Sequence, residues 1–371
     1  MNIVIAKEVL LEGLQRVSNI VPQKPTLPVL SNFLLRAHDG TLFISGTDMD
    51  ISMTTAVSCD VTEGGEVTVN ARRFIGIIRE LPPGEITISV NNDRITVTFS
   101  SGQSSLMGLP ASDYPSLRDS IEGVRVHVSG EDLALMVDKT GFSVSQDRTR
   151  LALTGIFWHV APDSMTMVST DGHRLSLFER TVASEVSRTA EAIMPPKSLL
   201  QAAQVISSGI GLNGVVFGEG AVLFDFGTTT IFSKLIEGPY PNFHQVIPKN
   251  NSKRVVMPAA ELAAAVRRVS VLSNSITHQI RLEVSPGAME LATKNDDIGG
   301  EARERIDVAY DGEELVAGYN AQFLSEILRR IDADEVTLEL ETPTTACIVK
   351  PVGEKDTDKY VYLIMPLRLS D

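Results

Sequence analysis

The sequence predicts an α+β fold made of three tandem copies of one mixed unit. Three observations carry this: a strand-plus-helix opening occurs three times, a strand ending in a polar turn occurs three times, and each copy closes with a second helix and alternating strands. The copies are placed at residues 1–120, 121–250 and 251–371.

The openings are IVIAKEVLLEGLQRVSNIV at 3–21, VRVHVSGEDLALMVDKTGFSV at 124–144 and KRVVMPAAELAAAVRRVSVLS at 253–273. Leu10, Leu14 and Val17 align with Leu133, Val137 and Thr140, then with Leu262, Val266 and Val269. This is the i, i+4, i+7 stripe with which a helix lays one face on a core. The turn-ended strands are LFISGTD at 42–48, MTMVSTD at 165–171 and MELATKND at 289–296. Their Thr-Asp or Asn-Asp pairs supply short polar side chains that bond to a turning backbone.

The second helices are NARRFIGIIREL at 70–81, PPKSLLQAAQVI at 195–206 and NAQFLSEILRRI at 320–331, with Asn70 and Asn320 as N-caps and Pro195-Pro196 suited to a first turn. In the closing strands Asn91-Asn92-Asp93 predicts a hairpin turn. The copies end alike, at Tyr114-Pro115, Tyr240-Pro241 and Met365-Pro366.

With 43% hydrophobic and 22% charged residues, the composition is that of a globular protein rather than a disordered or fibrous one. The opening MNIVIAKEVL is broken at once by Lys7 and Glu8, so neither a signal peptide nor a spanning helix is expected, and the cytoplasm is the expected compartment. Cys59 and Cys347 stand far apart in no zinc-binding spacing. The net charge of −14 argues against a surface that is basic all over. The six helix windows at 7–19, 70–80, 130–140, 196–206, 259–269 and 320–331 nevertheless carry eleven basic against eight acidic side chains, so the acidic excess lies elsewhere.

No phosphate loop, HExxH, GxSxG or dinucleotide fingerprint is present, and the six histidines form no metal-ligand pair. Neither enzymatic activity, cofactor nor metal is expected. Asp171, His173 and Arg174 in TDGHRL are the one acid–base candidate. The competing reading, a turn in which Asp171 bonds the backbone and Gly172 takes a positive φ, is preferred because Thr47-Asp48 occupies the same place in the first copy.

PTLPVLSNFLL at 25–35, GTDMDI at 46–51, STDGHRL at 169–175, YPNFHQVIP at 240–248 and the terminal YVYLIMPLRL at 360–369 together resemble the bacterial DNA polymerase III beta subunit, the replicative sliding clamp. The resemblance runs along essentially the whole chain. It implies a head-to-tail homodimer closed into a ring of six clamp domains, with helices lining the hole and antiparallel sheets outside. Such a ring encircles double-stranded DNA and tethers the polymerase III catalytic subunit, the clamp loader and other clamp-motif proteins. Helix geometry agrees: at roughly 10 Å between axes, six helices leave a hole of about 9 Å and twelve leave about 28 Å, enough for a duplex.

The resemblance implies three sets of site residues. Lys24, Arg72, Arg73, Arg150 and Lys197 would face DNA and hold phosphates without reading bases. A peptide-binding cleft would comprise Leu153, the turn residues Thr170, Gly172, His173, Arg174 and Leu175, then Pro241 and Val246, and finally Leu363, Met365, Pro366, Leu367 and Arg368. Ser104, Leu106 and Met107 would meet Val271 and Leu272 of a partner copy. The chain departs from the familiar pattern at Gln245, where a basic residue is common, at Leu151 and Ala152, where some members carry aromatic residues, and at Ser370-Asp371, which extend past the usual end.

Overall fold

The computed structural model describes residues 1–181, 189–353, 355 and 357–369, so Ser370 and Asp371 lie outside it. Six α-helices are found among these residues: α1 (Lys7–Ser18), α2 (Ala71–Glu80), α3 (Gly130–Thr140), α4 (Pro196–Ser207), α5 (Ala259–Ser270) and α6 (Ala321–Leu328). Two fall in each third, as expected. The predicted stripe is buried in all three opening helices. Thr140 is accommodated because its hydroxyl donates to the Met136 carbonyl at 2.7 Å. Both predicted asparagine caps are made, Asn70 accepting from the Arg73 amide and Asn320 from those of Gln322 and Phe323.

The last helix is shorter than its apolar period suggests. Arg330 and Ile331 donate to carbonyls three residues back, which tightens the chain and leaves Arg329 and Arg330 in a turn after α6. At the predicted hairpin, Asn92 and Asp93 have φ of 47° and 62° between paired Asn91 and Arg94, the left-handed pair that a two-residue turn requires.

In each third the opening strand pairs antiparallel with the strand after the second helix: Asn2–Ala6 with Glu85–Asn91, Gly123–Val126 with Gly214–Gly218, and Lys253–Pro258 with Glu335–Leu340. Consecutive thirds then join edge to edge. Ile51–Ser58, the strand next after the first polar turn, pairs with Thr229–Lys234, the last strand of the second third. Arg174–Thr181, the strand next after the second polar turn, pairs with Asp358–Ile364, the last strand of the third. Each joint fuses two four-stranded sheets into one of eight.

The chain accordingly divides into two compact units whose border passes through the second third. One contains residues 1–134 and 197–235, with an eight-stranded and a five-stranded sheet. The other contains 135–181, 189–196 and 236–369, with the second eight-stranded sheet and a four-stranded one. In the second unit α5 and α6 bury Leu262, Val266, Val269, Leu324 and Ile327 against Val255, Leu282, Leu291, Leu338 and Tyr362 of the sheets. Cys347 is buried in this core and burial pushes its thiol up, whereas Cys59 is half-buried. Among the described residues no helix is long and apolar enough to cross a membrane, and no cluster of metal-ligating side chains occurs.

Urea unfolding monitored by circular dichroism should rank two substitutions in this unit. Leu262→Ala opens a cavity under α5 and should cost about 3 kcal/mol. Asn320→Ala leaves two amides of α6 without their acceptor and should cost about 1 kcal/mol. The reverse order would show that the cap of α6 contributes more to this unit than the buried face of α5.

Candidate functional site

The TDGHR segment is a hydrogen-bonded turn. Thr170 Oγ1 accepts from the Gly172 amide at 3.1 Å and donates to the Arg174 carbonyl at 2.6 Å, while Asp171 Oδ1 accepts from the amides of His173 and Arg174 at 2.8 and 3.0 Å. The first third builds the same turn. Thr47 Oγ1 bonds the Met49 amide and Ile51 carbonyl, and Asp48 Oδ1 accepts from the amides of Asp50 and Ile51. The third residue is left-handed in both, Met49 at φ 83° and Gly172 at φ 90°, and only glycine takes this without strain.

These bonds decide against the acid–base reading. The Asp171 carboxylate is occupied by two backbone amides and by Arg174 Nε at 3.1 Å, and what it accepts from His173 is the main-chain N–H. The His173 side chain is exposed.

Two arginines brace the turn within the second unit. Arg150 Nη2 donates to the Asp171 carbonyl at 3.0 Å while its Nε pairs with Asp147 at 3.2 Å. Hydrogen bonds from Thr149, aided by Arg150, hold the Asp147 carboxyl below the usual range. Arg174 is almost wholly buried: Nε is on Asp171, Nη1 on the Glu326 carboxylate and Nη2 on the Phe142 carbonyl at 2.7 Å. Its guanidinium also lies over the Phe323 ring, 4.4 Å from the centroid.

Strand pairing brings together part of the expected cleft. Leu175 lies opposite Leu363, and the Met365 amide donates to the His173 carbonyl at 2.8 Å, which brings the terminal segment to the turn. Leu175 and Leu363 share an apolar cluster with Val168, Leu177, Ala346, Ile348 and Val361, and Phe157, Tyr240, Phe243 and Ile247 pack against it. Phe157 stacks on Tyr240 at 5.2 Å, and burial pushes the Tyr240 hydroxyl up. Val246, 55% exposed, and Met365, 40% exposed, leave apolar surface to solvent, and Pro241 is exposed beside them.

Not every expected residue joins this floor. Leu153 is buried in the short 3-10 turn Leu151–Thr154 after Arg150, its carbonyl accepting from the Ser145 amide. Beyond half-buried Pro366, the Leu367 amide donates to the Gly318 carbonyl and the Arg368 carbonyl accepts from Gln279 Nε2, so both turn onto the four-stranded sheet. The floor residues Val168, Leu177, Ala346, Ile348 and Val361 went unnoticed in the sequence. Their signal is the period-two alternation of Leu175 and Leu177, and of Ala346 and Ile348, which takes on meaning once the two strands are known to be neighbours.

The expected DNA-facing cations separate into two kinds. Lys24 and Arg72 line one groove of about 770 Å³ with Arg79, Ser31 and Asn70, and no carboxylate lines it among the described residues. Arg73, next to Arg72, borders a second groove of about 650 Å³ with Ile77, Phe99, Ser104 and Leu106. Lys197 is instead committed to Asp48 at 2.5 Å and to the Ile20 carbonyl, and Arg150 to the turn described above. Much of the basic layer is likewise neutralised locally: Lys139 is buried on Asp332, Arg268 pairs with Glu304 and Arg330 with Asp138.

Three of the expected interface residues lie on a sheet edge and two follow a helix. Ser104, Leu106 and Met107 belong to Gly102–Met107, the outermost strand of the five-stranded sheet, and Met107 is largely exposed. Val271 and Leu272 come directly after α5, with Val271 77% exposed. Ile276 and Ile298, in the same unit, are exposed as well. The sequence signal for them was an isolated isoleucine in each of two polar loops.

At the far end of the strand pair that carries the cleft, Arg180 grips Asp358 in a two-pronged bond of 2.7 and 2.6 Å. Burial opposes the ionised carboxylate, but the hydrogen bonds and charge of Arg180 outweigh it and hold Asp358 below the usual range. A depressed carboxylate stabilises above its unfolded pKa of about 3.9 and loses that contribution as pH falls through the lower folded value. Thermal unfolding of Asp358→Asn should therefore lie below wild type at pH 7, and the gap should close below about pH 4. A gap independent of pH would mean that the pair acts through shape alone.

Family models for the DNA polymerase III beta subunit match in order: the N-terminal domain over residues 1–118, the central domain over 127–242 and the C-terminal domain over 244–368. The beta sliding clamp of Pseudomonas putida is 31% identical over the full length of both chains. A solved sliding clamp from Pseudomonas aeruginosa bound to griselimycin is 30% identical with a TM-score of 0.92, and one from Bartonella birtlesii, also bound to griselimycin, is 28% identical with a TM-score of 0.93. Each covers, and is covered by, the whole chain.

Proposed function

Since this chain belongs to the DNA polymerase III beta subunit family, we propose that it is a DNA sliding clamp: a homodimeric ring that encircles duplex DNA and tethers the replicative polymerase. The observation that carries the reading is the rule by which its thirds join. The strand after the polar turn of one third pairs with the last strand of the next, at Ile51–Ser58 with Thr229–Lys234 and at Arg174–Thr181 with Asp358–Ile364. Applied once more, the rule asks for Gly300–Asp307 with Gly102–Met107.

Those two strands are the outer edges of the four-stranded and five-stranded sheets. An exposed edge is a template for another strand. Pairing them between two copies, head to tail, satisfies both edges twice and closes a ring of six domains, three per chain at 1–120, 121–250 and 251–371. Met107 and Leu106 of one copy then meet Val271, Leu272 and Ile298 of the other.

Within such a ring Lys24, Arg72 and Arg73 contact phosphates without reading sequence, with Arg150 and Lys197 as secondary contacts. The cleft between the TDGHR turn and the terminal strand takes short linear motifs of the polymerase III catalytic subunit, the clamp loader and other partners, on a floor of Leu175, Leu363 and Ile348. The protein works in the cytoplasm, performs no catalysis of its own and serves as a processivity factor.

A ring loaded on nicked circular plasmid by its clamp loader should stay bound through a wash in molar salt and leave once the plasmid is cut. Loss from the intact circle at high salt would reduce the interaction to ordinary electrostatics and remove the ring. His173→Ala should weaken motif-peptide binding and leave retention on the circle unchanged.

A further inference from the structure

The resemblance counts Arg174 among the residues that touch a partner peptide, yet its guanidinium is turned inward and all three of its nitrogens are already engaged. Nε, Nη1 and Nη2 are directed to Asp171, Glu326 and the Phe142 carbonyl, its face is against Phe323, and its side chain is only 8% exposed. Asp171 in turn fixes the amides of His173 and Arg174, and the His173 carbonyl holds the Met365 amide. One chain of contacts therefore runs from Glu326 through Arg174 and Asp171 to the cleft wall.

We propose that Glu326, on α6 and 152 residues from Arg174 in sequence, is a positioning residue for partner binding. It acts through Arg174 on the TDGHR turn and makes no contact with the partner. The charge-assisted bond sets where the guanidinium sits, and the guanidinium sets the Asp171 carboxylate on which the turn is folded. Without Glu326, Arg174 keeps its other two acceptors but loses the one that draws it onto α6, so Asp171 and the two amides it holds are free to shift.

This inference rests on the reading of the cleft as a peptide site, and the experiment separates the two. A peptide carrying the clamp-binding linear motif of the polymerase III catalytic subunit serves as the probe, titrated calorimetrically into the full-length protein. Glu326→Gln should weaken it about fivefold and Arg174→Ala at least as much. The double variant should bind no more weakly than Arg174→Ala alone, the non-additivity expected of residues acting in series. In the unliganded protein Glu326→Gln should also move the amide resonances of Gly172 and His173, a change that a loss of overall stability does not produce. If Arg174→Ala does not fold, Arg174→Lys replaces it: a lysine reaches one acceptor at a time, so Glu326→Gln should cost less in that background than in the wild type. Wild-type affinity in Glu326→Gln, or full additivity in the double variant, overturns the inference. Wild-type protein that fails to bind the motif peptide overturns the cleft reading instead.

Discussion

Everything in this molecule depends on strands left unpaired within one copy of the repeat and satisfied by the next. Two edges of each copy are left for a neighbour, the strand after its polar turn and its closing strand, and backbone N–H and C=O groups along such edges favour pairing. Inside the chain the joints are Ile51–Ser58 with Thr229–Lys234 and Arg174–Thr181 with Asp358–Ile364. These joints explain why the compact units cut across the second third. The same joint creates the cleft: Leu175 and Leu363, 188 positions apart on the chain, become neighbours because their strands are adjacent.

The two polar turns show how one scaffold supports different surfaces. Thr47 and Asp48 make the bonds that Thr170 and Asp171 make, so the backbone path is shared. The side chains they carry are different. Asp50 in the first turn is spent on Lys234 of the neighbouring strand, while His173 in the second is left exposed. Ile51 is an ordinary buried residue, while its counterpart Arg174 reaches away to α6. The two joints thus differ at a few side chains on an unchanged hydrogen-bond frame.

Much of this was legible in the sequence, and the reasons are local. Helix stripes such as Leu262, Val266 and Val269, the caps Asn70 and Asn320 and the left-handed hairpin at Asn92-Asp93 depend on residues within a few positions of one another. The turn reading of TDGHR was legible because GTDMDI repeats it. The floor of the cleft was not, because Ile348, Val361 and Leu177 join it through strand neighbours far away in sequence. Nor was the commitment of Lys197 to Asp48 or of Arg174 to Glu326: a charge on a helix or in a turn says nothing about which distant carboxylate it will meet.

Such commitments bear on how a ring can grip DNA and still move along it. The helix windows hold an excess of basic side chains, but ion pairs on Lys139, Lys197, Arg268 and Arg330 consume much of it. Of the expected DNA-facing cations, Lys24 and Arg72 line a groove that has no carboxylate in its lining, while Arg73 borders a second groove that includes Glu80. Phosphate contacts release counterions and gain affinity with each charge engaged, so a surface with every basic residue free would hold DNA tightly and resist displacement along it. A few free cations within a protein of net charge −14 lower that grip. On the proposed pairing of strand edges between two copies, retention is left to the closed ring, and sliding to contacts weak enough to exchange.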